Sequence, residues 1–94
     1  MYRVEIHRKA QKEIKNLPED IRNKVLKLII NLQYTPYPFK DYDLKKIKGF
    51  KDVYRVRLGD YRIIYRVNDN LKKVTVLEVK SREKAYRGLK RRML

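Results

Sequence analysis

The chain contains no cysteine, so disulfide frameworks and thiolate metal sites are excluded. Its fold must rest on packing and hydrogen bonds alone. There is one histidine, His7, and a paired-histidine ribonuclease is excluded by that count. His7 falls at the outward end of the first apolar alternation and reads as a surface residue. Carboxylates are scattered, and no cluster of them suggests a magnesium site. Long apolar runs are also missing. The longest, residues 25–32, is interrupted by Lys27 and Asn31 and falls far short of the roughly 20 residues that span a bilayer. The opening Met1-Tyr2-Arg3-Val4-Glu5-Ile6 lacks the basic-then-apolar build of a secretion signal. These absences lead to the expectation of a cytoplasmic protein with no membrane association. No repeat, linker or low-complexity segment divides the chain, so residues 1–94 read as one domain. That length is near the lower end of what a single core supports.

What is abundant is positive charge. Lys and Arg total 26 against 11 acidic residues, a net charge of +15 that repels itself and calls for a polyanionic partner. Residues 51–94 carry 14 basic and 5 acidic side chains, net +9, while residues 1–50 carry 12 and 6, net +6. Eight of the eleven arginines lie after residue 50. Arginine makes planar two-pronged bonds to phosphate, which marks the C-terminal half as the binding half. The plain alternative is a generic soluble surface rich in Lys and Glu.

Apolar spacing gives the elements. Tyr2, Val4 and Ile6 alternate with Arg3, Glu5 and His7, a short strand with one buried face. Ala10, Ile14 and Leu17 recur at helical spacing until Pro18 forces a break. A second helix follows, with Ile21, Val25, Leu28, Ile29 and Leu32 on one stripe and Glu19 and Asp20 in its first turn. Pro36 and Pro38 end it, and residues 35–52 read as a connector pinned by Leu44 and Ile47. Two alternating runs flank Gly59-Asp60, a third strand covers residues 74–79, and the tail from residue 82 reads as a short basic helix. The expected architecture is α+β: a short N-terminal strand, an α-helical hairpin, a three-stranded antiparallel meander and a short C-terminal helix.

The hairpin carries the sharpest pattern. A two-residue turn at Gly59-Asp60 pairs Leu58 with Tyr61 and Arg57 with Arg62. Tyr54, Val56, Leu58, Tyr61, Ile63 and Tyr65 then share the core face, and Arg55, Arg57, Arg62 and Arg66 share the other. Exposed strand faces often carry cations simply to block aggregation. Four arginines with no carboxylate among them exceed that need. Like charges placed directly across from each other are destabilising, and a bridging anion would remove the cost.

The run Val53-Tyr54-Arg55-Val56-Arg57-Leu58-Gly59-Asp60-Tyr61-Arg62-Ile63-Ile64-Tyr65-Arg66-Val67 resembles the core signature of the RelE/ParE superfamily of toxins. The lead-in Leu44-Lys45-Lys46-Ile47-Lys48-Gly49 resembles that family's approach to the hairpin. Val76-Leu77-Glu78-Val79 and Arg82-Glu83-Lys84-Ala85-Tyr86 resemble its last strand and C-terminal motif. The resemblance covers nearly the whole chain. Its RelE branch implies a metal-independent endoribonuclease with no cofactor, cutting messenger RNA in the ribosomal A site by 2′-hydroxyl attack. The positions matching that branch's functional set are Arg55, Arg57, Arg62, Arg82 and Tyr86. Catalysis falls on Arg57, Arg62, Arg82 and Tyr86; Arg55, Arg66, Lys90, Arg91 and Arg92 would bind RNA phosphate. Some family members carry lysine where this chain has Arg55 and Arg57. Arginine effectively cannot exchange a proton, which leaves Tyr86 as the candidate base. The resemblance also implies a heteromeric complex with a small acidic, RelB-like antitoxin, and action on the ribosome and its mRNA. Two other readings stand beside it: a ParE-like inhibitor of DNA gyrase, and a non-catalytic basic RNA-binding module.

Overall fold

A computed structural model of the chain describes residues 1–81. The elements run β1 (Arg3–Ile6), α1 (Arg8–Lys15), α2 (Glu19–Leu32), β2 (Asp43–Lys46), β3 (Val53–Leu58), β4 (Tyr61–Asn68) and β5 (Lys73–Ser81). The expected C-terminal helix lies outside the described residues.

Local chemistry sets the helix boundaries. His7 caps α1, its Nδ1 accepting the Lys9 backbone N–H at 3.2 Å. Pro18 is the N-cap of α2, where a missing N–H costs nothing, and Glu19 and Asp20 occupy the first turn. Ala10, Ile14 and Leu17 are buried together with Val25, Leu28, Ile29 and Leu32. They meet Val56, Ile63, Tyr65, Val67, Val74, Val76 and Val79 from the sheet in one core. Ile21 packs against that core half-buried. The fold is therefore two layers, a helical pair on one face of a sheet.

The sheet has five strands in the order β1-β5-β4-β3-β2. The expected three-stranded meander and plain connector need correction. Residues 43–46 of that connector form an edge strand antiparallel to β3, so the meander has four strands. The N-terminal strand joins the same sheet parallel to β5, from Arg3↔Lys73 to Ile6↔Val76. Leu44 packs against the core as expected. Ile47 does not; its N–H donates to the Val53 carbonyl at 2.9 Å, which continues the β2–β3 ladder and turns it to the arginine face.

The rest of the connector is held by tyrosines. Tyr65, fully buried, donates its hydroxyl to the Pro36 carbonyl at 2.9 Å. Tyr54 stacks on Tyr65 with centroids 6.0 Å apart, and Tyr37 meets Tyr54 edge-on at 5.2 Å. Tyr37 and Tyr2 donate to the two oxygens of Asp69, at 2.9 and 2.7 Å. These bonds hold the Asp69 carboxyl below its ordinary range. Burial and the Asp69 bond push the Tyr37 phenol up. Past Val76, α1 covers the edge of β5: the Val79 N–H donates to Glu13 Oε1 at 3.0 Å. No helix among the described residues is long and apolar enough to cross a membrane.

Candidate nucleic-acid interface

The hairpin register is the one its turn dictates. Leu58 pairs with Tyr61 and Arg57 with Arg62. Gly59 has φ +59° while Asp60 does not take positive φ, the pattern of a type II′ turn with glycine at its first central position. Tyr54, Val56, Leu58, Tyr61, Ile63 and Tyr65 all join the core. Paired residues of antiparallel strands share a face, so Arg55, Arg57, Arg62 and Arg66 lie on the opposite side.

Pairing on both flanks extends this face beyond the hairpin. Asp43 on β2 pairs with Arg57, Arg57 with Arg62, and Arg62 with Lys80 on β5. One line across four strands thus reads Asp43, Arg57, Arg62, Lys80. With neighbouring strands about 4.8 Å apart, its three cations span roughly 10 Å. The adjacent line reads Lys45, Arg55, Ile64, Glu78. Arg66 shares the face but stands four residues along β4 from Arg62, about 13 Å away at strand rise, and is exposed. The structure therefore gathers Arg55, Arg57 and Arg62 and leaves Arg66 apart.

The guanidinium groups are held by local partners. Arg55 Nη2 bonds Asp43 Oδ1 at 3.3 Å, and the Arg55 side chain keeps only 13% of its exposure. Its Nε is buried with no hydrogen-bond partner among the described residues. A buried donor left in that state is costly and suits an incoming acceptor oxygen. Arg57 Nε donates to the Gly59 carbonyl at 3.4 Å, a long bond that ties the side chain to the turn. The two carboxylates on the lines of Arg55, Arg57 and Arg62, Asp43 and Glu78, come from strands on either side of the hairpin and escaped the hairpin-only reading. Lys9 of α1 bonds Glu78 Oε1 at 2.7 Å, and that bond raises the pKa of the lysine. Lys80 stands 3.8 Å from the same oxygen. The remaining sequence candidates, Arg82, Tyr86, Lys90, Arg91 and Arg92, lie outside the described residues.

Such an array can seat a phosphodiester backbone and stabilise charge that builds on phosphorus-bound oxygens. Comparison with known proteins fits this architecture. The family model described as ParE toxin of type II toxin-antitoxin system, parDE, matches residues 4–86. The chain belongs to the RelE/ParE toxin superfamily. Within the superfamily it resembles RelE proteins. It is 36% identical over 87 residues to the RelE1 protein of Methanocaldococcus jannaschii, covering 93% of this chain and 97% of the relative. Among solved structures, an archaeal RelE-RelB complex from Pyrococcus horikoshii matches with TM-score 0.78 and 40% identity, over 86% of this chain and 94% of that one. A RelB-RelE antitoxin-toxin complex from Methanococcus jannaschii matches with TM-score 0.76 and 29% identity, over 87% of this chain and 94% of that one. This is a RelE-like toxin of a toxin–antitoxin system with the α+β fold of its superfamily.

Proposed function

We propose that this RelE-like toxin is a ribosome-dependent endoribonuclease that cuts mRNA in the A site without a metal. The observation that carries the reading is the line of Arg57 and Arg62 on paired strands, with Arg55 beside it. In the reaction, a ribose 2′-hydroxyl attacks the adjacent phosphorus. The O2′–P bond forms, the P–O5′ bond breaks, and the products are a 2′,3′-cyclic phosphate and a 5′-hydroxyl end. The attacking hydroxyl gives up its proton and the departing O5′ takes one. Negative charge rises on the equatorial oxygens between these events. Fixed guanidinium donors stabilise it, each worth about 3 kcal/mol, or on the order of 10²–10³ in rate. Arg57 and Arg62 take that role, and Arg55 holds the backbone through its remaining donors.

Tyr86 is the base in this proposal and Arg82 steadies the phosphate or the leaving oxygen. Arg66, Lys90, Arg91 and Arg92 contribute longer-range attraction to RNA. The partner is a small acidic, RelB-like antitoxin. The net charge of +15 favours an acidic chain, and the two archaeal structures described above are toxin complexes with RelB. The protein acts in the cytoplasm, where ribosomes are.

The test is to add the purified protein to translating ribosomes in the absence of antitoxin. Cuts at A-site codons are expected. Intact message together with blocked DNA supercoiling would replace this reading with gyrase inhibition. RNA binding without either effect would reduce the protein to a binding module.

A further inference from the structure

β5 does not alternate evenly. Val74 and Val76 are buried in the core, and uninterrupted alternation would put residues 78 and 80 on the core side as well. Instead the register against β4 jumps between Ile64 and Tyr65: Tyr65 pairs with Val76, Ile64 with Glu78 and Ile63 with Val79. Leu77 is the extra residue of a β-bulge. The bulge moves Val79 into the core, where it is 2% exposed, and turns Lys80 to the arginine face opposite Arg62.

From this placement we infer that Lys80 is a further RNA-contacting residue, extending the phosphate-binding line from the hairpin onto β5. The inference rests on the proposed RNA-directed function. Three observations converge on it. Lys80 closes a line of three cations on adjacent strands, Arg57, Arg62 and Lys80. Such a line, about 10 Å long, reaches two successive phosphates of a single strand crossing the sheet at right angles to its strands. The nearby carboxylate, Glu78, is engaged by Lys9 at 2.7 Å, while Lys80 stands off at 3.8 Å. Glu78 is thus held more tightly by Lys9 than by Lys80, whose looser ion pair with it a phosphate oxygen can replace. Finally, the Lys80 side chain retains 30% of its exposure, enough for Nζ to meet solvent and ligand. Its compact ammonium makes one point-charge contact, unlike the forked contacts of its arginine neighbours.

The experiment measures binding of a short labelled oligouridylate, 2′-O-methylated to prevent cleavage, over a series of salt concentrations. Lys80→Met is compared with Lys27→Met, which removes the same charge from the exposed side of α2. Lys80→Met is expected to weaken binding about tenfold at low salt, the scale of one charge-assisted hydrogen bond. The slope of log K against log salt should fall by about 0.7, one single-strand phosphate contact. Lys80→Arg should restore both. Lys27→Met should change neither by half as much. Equal effects of Lys80→Met and Lys27→Met, with Arg62→Ala still damaging, would overturn the role of Lys80 alone. Failure of the parent protein to bind the oligonucleotide would overturn the RNA-directed function together with it.

Discussion

The Tyr65 hydroxyl offers a quantitative test of how the arginine face is held in place. Tyr65 is fully buried on β4, one residue before exposed Arg66, and its hydroxyl donates to the Pro36 carbonyl at 2.9 Å. That bond joins the centre of the sheet to the segment leading into β2, which supplies Asp43. Tyr65→Phe removes the donor and leaves a partly buried carbonyl without it, at a cost of about 1–2 kcal/mol. For a domain of this length, the melting temperature should fall by roughly 5–10 °C. The effect should also depend on pH. Burial pushes the Tyr65 phenol well above its ordinary value. In the unfolded chain the phenol ionises near pH 10, while in the fold it keeps its proton. Its contribution is therefore complete below about pH 10 and is lost as pH rises beyond that. The phenylalanine variant cannot lose it. The stability gap between parent and variant should then shrink by about 1 kcal/mol per pH unit above 10. Tyr37, whose phenol is also raised, titrates in both proteins and cancels. Urea denaturation at a series of pH values from neutral to strongly alkaline measures the gap. A gap that stays constant across that range would refute the buried-phenol reasoning, and no gap at neutral pH would refute the hydrogen bond.

Other consequences follow from single contacts. Gly59 has φ +59° and open space where a Cβ would go, so Gly59→Ala should cost about 1 kcal/mol from conformation alone, seen as a lower urea midpoint. Glu13→Ala removes the acceptor of the Val79 N–H and should cost about 1–2 kcal/mol by the same assay, with Glu13→Gln recovering most of it. The first turn of α1 has no acidic residue and is capped by His7, so His7→Asp should raise stability by about 0.5 kcal/mol, most clearly at low salt.

The helical pair and the hairpin were legible in the sequence because each announces itself locally. Leu17-Pro18 breaks one helix from the next, and Gly59-Asp60 admits a two-residue turn that leaves one register. β2 was not legible. Asp43-Leu44-Lys45-Lys46 has one apolar position, and what makes it a strand is the edge of β3 beside it. The parallel pairing of β1 with β5 joins the two ends of the described chain and leaves no local signal. Lys80 was hidden for a different reason. Its face is decided by one extra residue, Leu77, in a strand whose alternation otherwise points it inward. Asp43 and Glu78 were overlooked on the arginine face because the faces of β2 and β5 had first to be assigned. Arg66 shows the converse: alternation placed it on the correct face but says nothing of distance from Arg62. His7 reads as a surface residue, and its capping bond to Lys9 became visible only once the start of α1 was fixed.

In the proposed reaction, guanidinium groups on paired strands stabilise the cleaving phosphate. Single-turnover cleavage on ribosomes with a filled A site, in EDTA, tests it most directly for the parent, Arg57→Ala and Arg62→Ala. Each variant is expected to lose on the order of 10² in rate while keeping a cooperative thermal transition, and the parent's products should carry 5′-hydroxyl ends. Unchanged rates in both folded variants, or cleavage by the parent that stops in EDTA, would contradict the account.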